Sequence, residues 1–134
     1  YAVGLLFDDA GDDEYTGSHA GVGYAWDIAV GGLIDAAGND RYVTPGSGLG
    51  QAHNAGLGFL YDGGGDDAYE GRQPGLASET VEYHKDQDAG GNFAFLIDAG
   101  GEDTYLSGMT NGTEWVRGWA GGFVIDMGPV GGER

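Results

Sequence analysis

Eight aspartates stand in four identically spaced pairs: Asp8 with Asp13, Asp35 with Asp40, Asp62 with Asp67, and Asp98 with Asp103. Carboxylates at fixed spacing can move protons, cap turns or supply hard oxygen ligands to a cation. Catalytic use needs partners whose motifs are missing here: Gly-x-Ser-x-Gly, a phosphate-loop lysine, His-Glu-x-x-His and a dinucleotide fingerprint are all absent. The acids also do not follow the EF-hand loop, lacking its central glycine and its closing glutamate. With no cysteine, thiolate metal sites and disulfides are excluded. The expectation is a non-enzymatic chain whose acids cap turns or hold a cation.

The pairs belong to a repeat. Four segments align without gaps: Phe7-Asp-Asp-Ala-Gly-Asp-Asp-Glu-Tyr15, Ile34-Asp-Ala-Ala-Gly-Asn-Asp-Arg-Tyr42, Tyr61-Asp-Gly-Gly-Gly-Asp-Asp-Ala-Tyr69 and Ile97-Asp-Ala-Gly-Gly-Glu-Asp-Thr-Tyr105. A fifth start at Val124-Ile-Asp126 decays into Pro129-Val-Gly-Gly-Glu-Arg134. The first aspartates fall at 8, 35, 62, 98 and 126, giving steps of 27, 27, 36 and 28 residues. The long step calls for an insertion, placed at residues 73–87 within the third repeat, where the sequence turns polar.

Each motif follows a short apolar run bounded by Gly and Asp, such as Val30-Gly-Gly-Leu-Ile34 or Phe93-Ala-Phe-Leu-Ile97, which reads as a strand. Glycine throughout disfavours helix. A second strand begins at each motif tyrosine, and a third, weaker one follows, as in Gly21-Val-Gly-Tyr-Ala25. Three strands and three turns in this length make one coil of an all-β parallel β-solenoid (β-helix or β-roll-like) of about four to five coils. Residues 1–134 form a single domain, and a start at Tyr1 rather than Met is expected of a fragment or processed piece. Gly4, Gly31, Gly58, Ala94 and Gly122 alternate with Leu6, Leu33, Leu60, Leu96 and Val124 on one strand face, as a thin interior requires. The opposite face is also apolar, through Phe7, Ile34, Tyr61, Ile97 and Ile125 and through Leu5, Phe59, Phe95 and Phe123. Strands apolar on both faces are usually covered on both, so an insertion, a further domain or a second subunit is expected over this sheet.

In a solenoid, equivalent aspartates stack about 4.8 Å apart. At that distance two carboxylates repel by about 1 kcal/mol in water and by about 3–4 kcal/mol at an effective dielectric near 20. Such a ladder requires protonation or a cation. Oxygen ligands without thiols favour Ca²⁺ over zinc or copper, and magnesium demands a stricter octahedron. The eight paired aspartates are therefore the candidate calcium ligands, with Gly11, Gly38, Gly65 and Gly101 free to turn carbonyls toward an ion. Asp also caps turns without a metal, so one column can cap while the other ligates.

The segments Gly64-Gly-Asp-Asp-Ala-Tyr69 and Gly100-Gly-Glu-Asp-Thr-Tyr105 resemble the calcium-binding nonapeptide of RTX-type β-rolls. The match is partial, because the motif recurs once per coil rather than every nine residues. Over nearly the whole chain the sequence also resembles Asp-x-Gly-Gly-Asp-Asp-x-Tyr repeats of uncharacterised bacterial proteins, often predicted to be secreted. The resemblance implies calcium ligation by the aspartate columns and an extracellular or cell-surface setting.

Composition narrows the partners. Thirty glycines are roughly three times the ordinary share. A net charge of −17, from 22 acids against five bases, excludes a phosphate-neutralising nucleic-acid surface and invites cations. No apolar run is long enough to insert in a bilayer as a helix. The tyrosine column reads as a packed ladder, and His19, His53 and His84 sit at different repeat phases. Trp26, Trp115 and Trp119 read as packing or interface residues, with a glycan groove as the alternative. The expected role is a calcium-binding structural or adhesive module. The alternatives are a self-assembling filament or sheet subunit, associating through solenoid ends or the apolar face, and a carbohydrate-binding module. No polar cap is evident at either end of the repeat.

Overall fold

Strands this short cannot close a core within one coil, so each coil must bury its apolar positions against the next. The computed structural model describes residues 1–78, 91–117 and 121–129. There the chain winds as a parallel β-solenoid of about four turns at a spacing of ~27 residues, without helix.

The first coil contains β1 (Ala2–Asp8), β2 (Glu14–Thr16), β3 (Ala20–Gly21) and β4 (Ala25–Trp26). The second repeats it as β5 (Ala29–Asp35), β6 (Arg41–Val43), β7 (Ser47–Gly48) and β8 (Ala52–His53). The third and fourth contribute β9 (Leu57–Asp62), β10 (Ala68–Glu70), β11 (Phe93–Asp98) and β12 (Thr104–Tyr105), followed by β13 (Glu114–Arg117) and β14 (Gly122–Asp126). The long strands β1, β5, β9, β11 and β14 lie side by side in parallel, with Asp8, Asp35, Asp62, Asp98 and Asp126 paired in register. A second parallel sheet of β2, β6, β10 and β12 aligns Tyr15, Tyr42, Tyr69 and Tyr105.

The expected third strand is split in two. Val22 (φ 53°) and Gly23 (φ 76°) break the first coil between β3 and β4, and Leu49 (φ 56°) and Gly50 (φ 69°) do the same between β7 and β8. The glycine column does what a thin interior demands. A Cβ on Gly31 or Gly58 would lie 2.0 Å from the carbonyl of Tyr24 or Gln51 across the bore. Beside it, Leu33, Leu60, Leu96 and Val124 are buried together with Tyr42, Tyr69, Leu49 and Met109. Leu6 occupies the same column in the first coil yet is 45% exposed, because no coil covers it on the outer side.

The two ends of the large sheet differ. β1 forms one edge, whereas β13 pairs antiparallel with β14 at the other and interrupts the parallel stacking there. The long step between repeats is a compound one. Ala52 pairs with Ala77, 25 residues on, whereas Leu57 pairs with Phe93, 36 residues on. The third coil is thus shortened before Ala77, and the extra length enters between Ala77 and Phe93. Most of the polar run read as an insertion, residues 79–90, lies outside the described residues, while Gln73–Ser78 still follow the coil, with Gly75 and Ser78 donating to Leu49 and Ala52 carbonyls. On the surface Arg41 joins three coils, donating to Glu14 at 2.6 Å and to Glu70 at 2.7 Å. The outward face of the large sheet is apolar, and Phe7, Tyr61 and Phe93 on it are exposed.

Candidate cation site

The two aspartate columns have different surroundings. The first column shares strand parity with the leucines, so it points inward at the corner where the long strand ends. Asp35, Asp62 and Asp98 are fully buried. Each is hydrogen-bonded at both carboxylate oxygens. Oδ1 accepts from the backbone two residues on, as from Gly64 to Asp62 and Gly100 to Asp98, both at 2.8 Å. Oδ2 accepts the tyrosine hydroxyl of the preceding coil: Tyr15 to Asp35 and Tyr42 to Asp62 at 2.5 Å, Tyr69 to Asp98 at 2.8 Å. Hydrogen bonds to an ionised acceptor are about twice as strong as neutral ones, which offsets part of the cost of burial. Burial, and then these carboxylates, push the Tyr15 and Tyr42 hydroxyls well above their usual range and keep them protonated donors.

The second column is only half satisfied. The backbone N–H of each member donates to Oδ1 of the next: Asp13 to Asp40 at 2.7 Å, Asp40 to Asp67 at 2.6 Å and Asp67 to Asp103 at 2.8 Å. The Oδ2 atoms of Asp40, Asp67 and Asp103 are buried with no hydrogen-bond partner. An unpaired buried carboxylate oxygen is costly. Burial is the main reason that the Asp40 carboxyl is pushed up to about 6, that of Asp67 to about 8 and that of Asp103 to about 7, with neighbouring carboxylates adding to it. Burial also raises Asp62 and Asp98, against the hydrogen bonds from Tyr42 and Tyr69. Among the described residues the ion pairs are those of Arg41, and they involve none of these acids.

The columns converge. One carboxylate oxygen each from Asp40, Asp62 and Asp67 lies within 4.8 Å of the other two, and Asp67, Asp98 and Asp103 form a second such group. Asp67 belongs to both. No protein family, curated protein or solved structure matches this chain. The site therefore rests on its own geometry, which is that of buried acid clusters able to hold a metal ion.

Of the eight aspartates expected to ligate, five meet in these groups. Asp8, Asp13 and Asp35 join no such group among the described residues. Asp8 and Asp13 are half-buried in the end coil, and Asp35 is spent on Tyr15 and the Ala37 amide. The glycines at the turn answer first to packing. A Cβ on Gly38, Gly65 or Gly101 would lie 1.7, 1.4 or 1.5 Å from the glycine carbonyl of the preceding coil.

Two participants were not singled out from the sequence. Asp126 takes amides from Gly112 and Gly128 on Oδ1 and leaves a buried Oδ2 without a partner. Asn111 accepts the Asp103 amide at 2.8 Å, ending the second column with a neutral side chain. Asp126 was visible as the fifth repeat start, whereas Asn111 stands off the repeat, and its Asn-Gly-Thr sequence signals a glycosylation acceptor rather than a turn partner.

Proposed function

We propose that this chain is a calcium-binding structural module, non-catalytic, in which Ca²⁺ bound between coils stiffens the solenoid. The observation that carries this reading is the row of buried, partnerless Oδ2 atoms on Asp40, Asp67 and Asp103, beside carboxylates of the first column. Carboxylate oxygens within 4.8 Å of one another can share one cation, and Ca²⁺ accepts such irregular oxygen sets, whereas Mg²⁺ demands a near-ideal octahedron and keeps more of its water. The absence of cysteine and the all-carboxylate donor set favour the same hard cation. A net charge of −17 and a repeat resembling those of bacterial proteins often predicted to be secreted support an extracellular or cell-surface setting, where calcium is plentiful, and an adhesive or scaffolding role. An ion held only by the folded chain adds about 2.7 kcal/mol per site at a hundredfold excess over its dissociation constant.

The test is thermal melting followed by circular dichroism, in chelator, in Mg²⁺ and in Ca²⁺, for the native chain and Asp67→Asn. Calcium is expected to raise the melting temperature of the native chain well above that in the other two conditions. Asp67→Asn keeps an oxygen for the Asp40 amide but not the charge, so it should lose most of that increment. Identical native melts in all three conditions would reduce the aspartate columns to hydrogen-bonded turns.

A further inference from the structure

The large sheet has an outer face unlike the rest of the molecule. On β1, β5, β9, β11 and β14 the outward positions run Val3, Leu5, Phe7; Val30, Gly32, Ile34; Leu57, Phe59, Tyr61; Phe93, Phe95, Ile97; and Phe123, Ile125. None carries a charge, in a chain with 22 acids. The face is open: Val3 is 72% exposed, Phe7 65% and Phe93 46%. At its centre Phe59, Phe95 and Phe123 stack in line, with ring centroids 5.3 and 5.5 Å apart and planes 15° and 11° from parallel. The Phe59 ring lies over Gly32, where a Cβ would stand 2.2 Å from it, so the strip stays flat.

We propose that this face is an interface with a second copy of the same chain, the two sheets packing face to face about 10 Å apart as in a β-sandwich. Three arguments select that occupant. Parallel sheets are nearly always covered on both faces, and among the described residues the inner face alone is covered, by the solenoid bore. The size is sufficient: five strands at about 4.8 Å and three outward positions at about 6.7 Å make a footprint of roughly 500 Å², so two copies bury on the order of 1,000 Å², the lower bound of a specific interface. The charge pattern also fits. Two chains of −17 repel wherever acidic surfaces meet, and this field of five strands is where they can approach without opposing like charges. The residues outside the described part, 79–90, 118–120 and 130–134, offer only Val81, Tyr83, Trp119 and Val130 as large apolar side chains, too few to cover five strands. Glu114, on the β13 edge opposite Ile125, marks the polar rim.

The experiment is sedimentation equilibrium in calcium-containing buffer at near-physiological salt, from about 1 to about 100 μM. The native chain should form a reversible dimer that tightens as salt screens the net charge. Phe95→Asp at the centre of the strip should weaken association at least a hundredfold, whereas Phe95→Leu should leave it nearly unchanged. Phe7→Lys, on the exposed edge of the face, gives the same reading should Phe95→Asp lose its β-signal. A native chain that stays monomeric at the highest concentration overturns the proposal, and dye binding to the bare face would then mark it for a different polypeptide. Association that survives both charge-introducing variants also overturns it and assigns the contact to the open β1 edge.

Discussion

Asp67 shows most directly what the fold asks of one residue. Its Oδ1 takes the Asp40 amide, its Oδ2 has no partner, and it sits in both acid groups. Without a cation, burial holds its carboxyl up at about 8, with Asp103 at about 7 and Asp40 at about 6. In the unfolded chain the same groups titrate near 3.9. Raised folded values mean that the folded state binds more protons, so stability falls as pH rises from the unfolded value through the folded ones. The metal-free protein should therefore melt at a higher temperature at pH 5 than at pH 8.5. Saturating calcium should shrink or reverse that difference. A pH-independent melt of the metal-free chain would mean that these carboxyls are not withdrawn from water as the structure has them.

The turn and the tyrosine strand work as one element. Each tyrosine stacks on the next, with centroids 5.1, 5.1 and 4.7 Å apart along Tyr15, Tyr42, Tyr69 and Tyr105. Each of the first three also sends its hydroxyl to the first-column aspartate of the following coil. The ladder thus packs the bore and satisfies buried charge with the same side chain. Tyr42→Phe keeps the stack but strips Asp62 Oδ2 of its donor inside a fully buried corner. The expected cost is about 1–3 kcal/mol, read from urea unfolding at neutral pH. Tyr15 reaches Asp35 from the half-buried end coil, so Tyr15→Phe should cost less, because water can reach the end of the stack. Equal losses would argue that stacking, rather than the hydroxyl, carries the contribution.

As a whole, the molecule is close to one-dimensional: strand pairing joins each coil to its neighbours, and the register from Ala2↔Ala29 to Asp8↔Asp35 continues one coil later from Val30↔Leu57 to Asp35↔Asp62. Stability in such a stack is approximately a sum over coils and their interfaces. Duplicating residues 28–54 in tandem should therefore give a longer solenoid. Its unfolding slope in urea should rise by roughly a quarter, in proportion to the added surface, together with its midpoint. The antiparallel β13 sets a limit at the other end of the large sheet, where no further coil can add in parallel register to β14. A duplicated chain with an unchanged slope would show that the extra coil loops out instead of stacking.

Much of this was legible in the residues. Columns of Gly, Leu, Asp and Tyr at a fixed step leave little freedom, because a parallel stack places equal phases side by side. The alternation of Gly31, Leu33 and Asp35 even put the first aspartate on the leucine side, although its full burial and its tyrosine donor became apparent only with the corner closed. The sequence alone determined a parallel solenoid of about four to five coils with stacked acids. The tertiary structure decided which acids are free. Asp35, Asp62 and Asp98 are taken up by tyrosines 20 or 29 residues earlier, whereas Asp40, Asp67 and Asp103 keep an idle buried oxygen. It also decided how the stack ends, through the antiparallel β13 and Asn111. Both outcomes rest on donors brought together from different coils, at distances and angles that a repeat pattern does not contain.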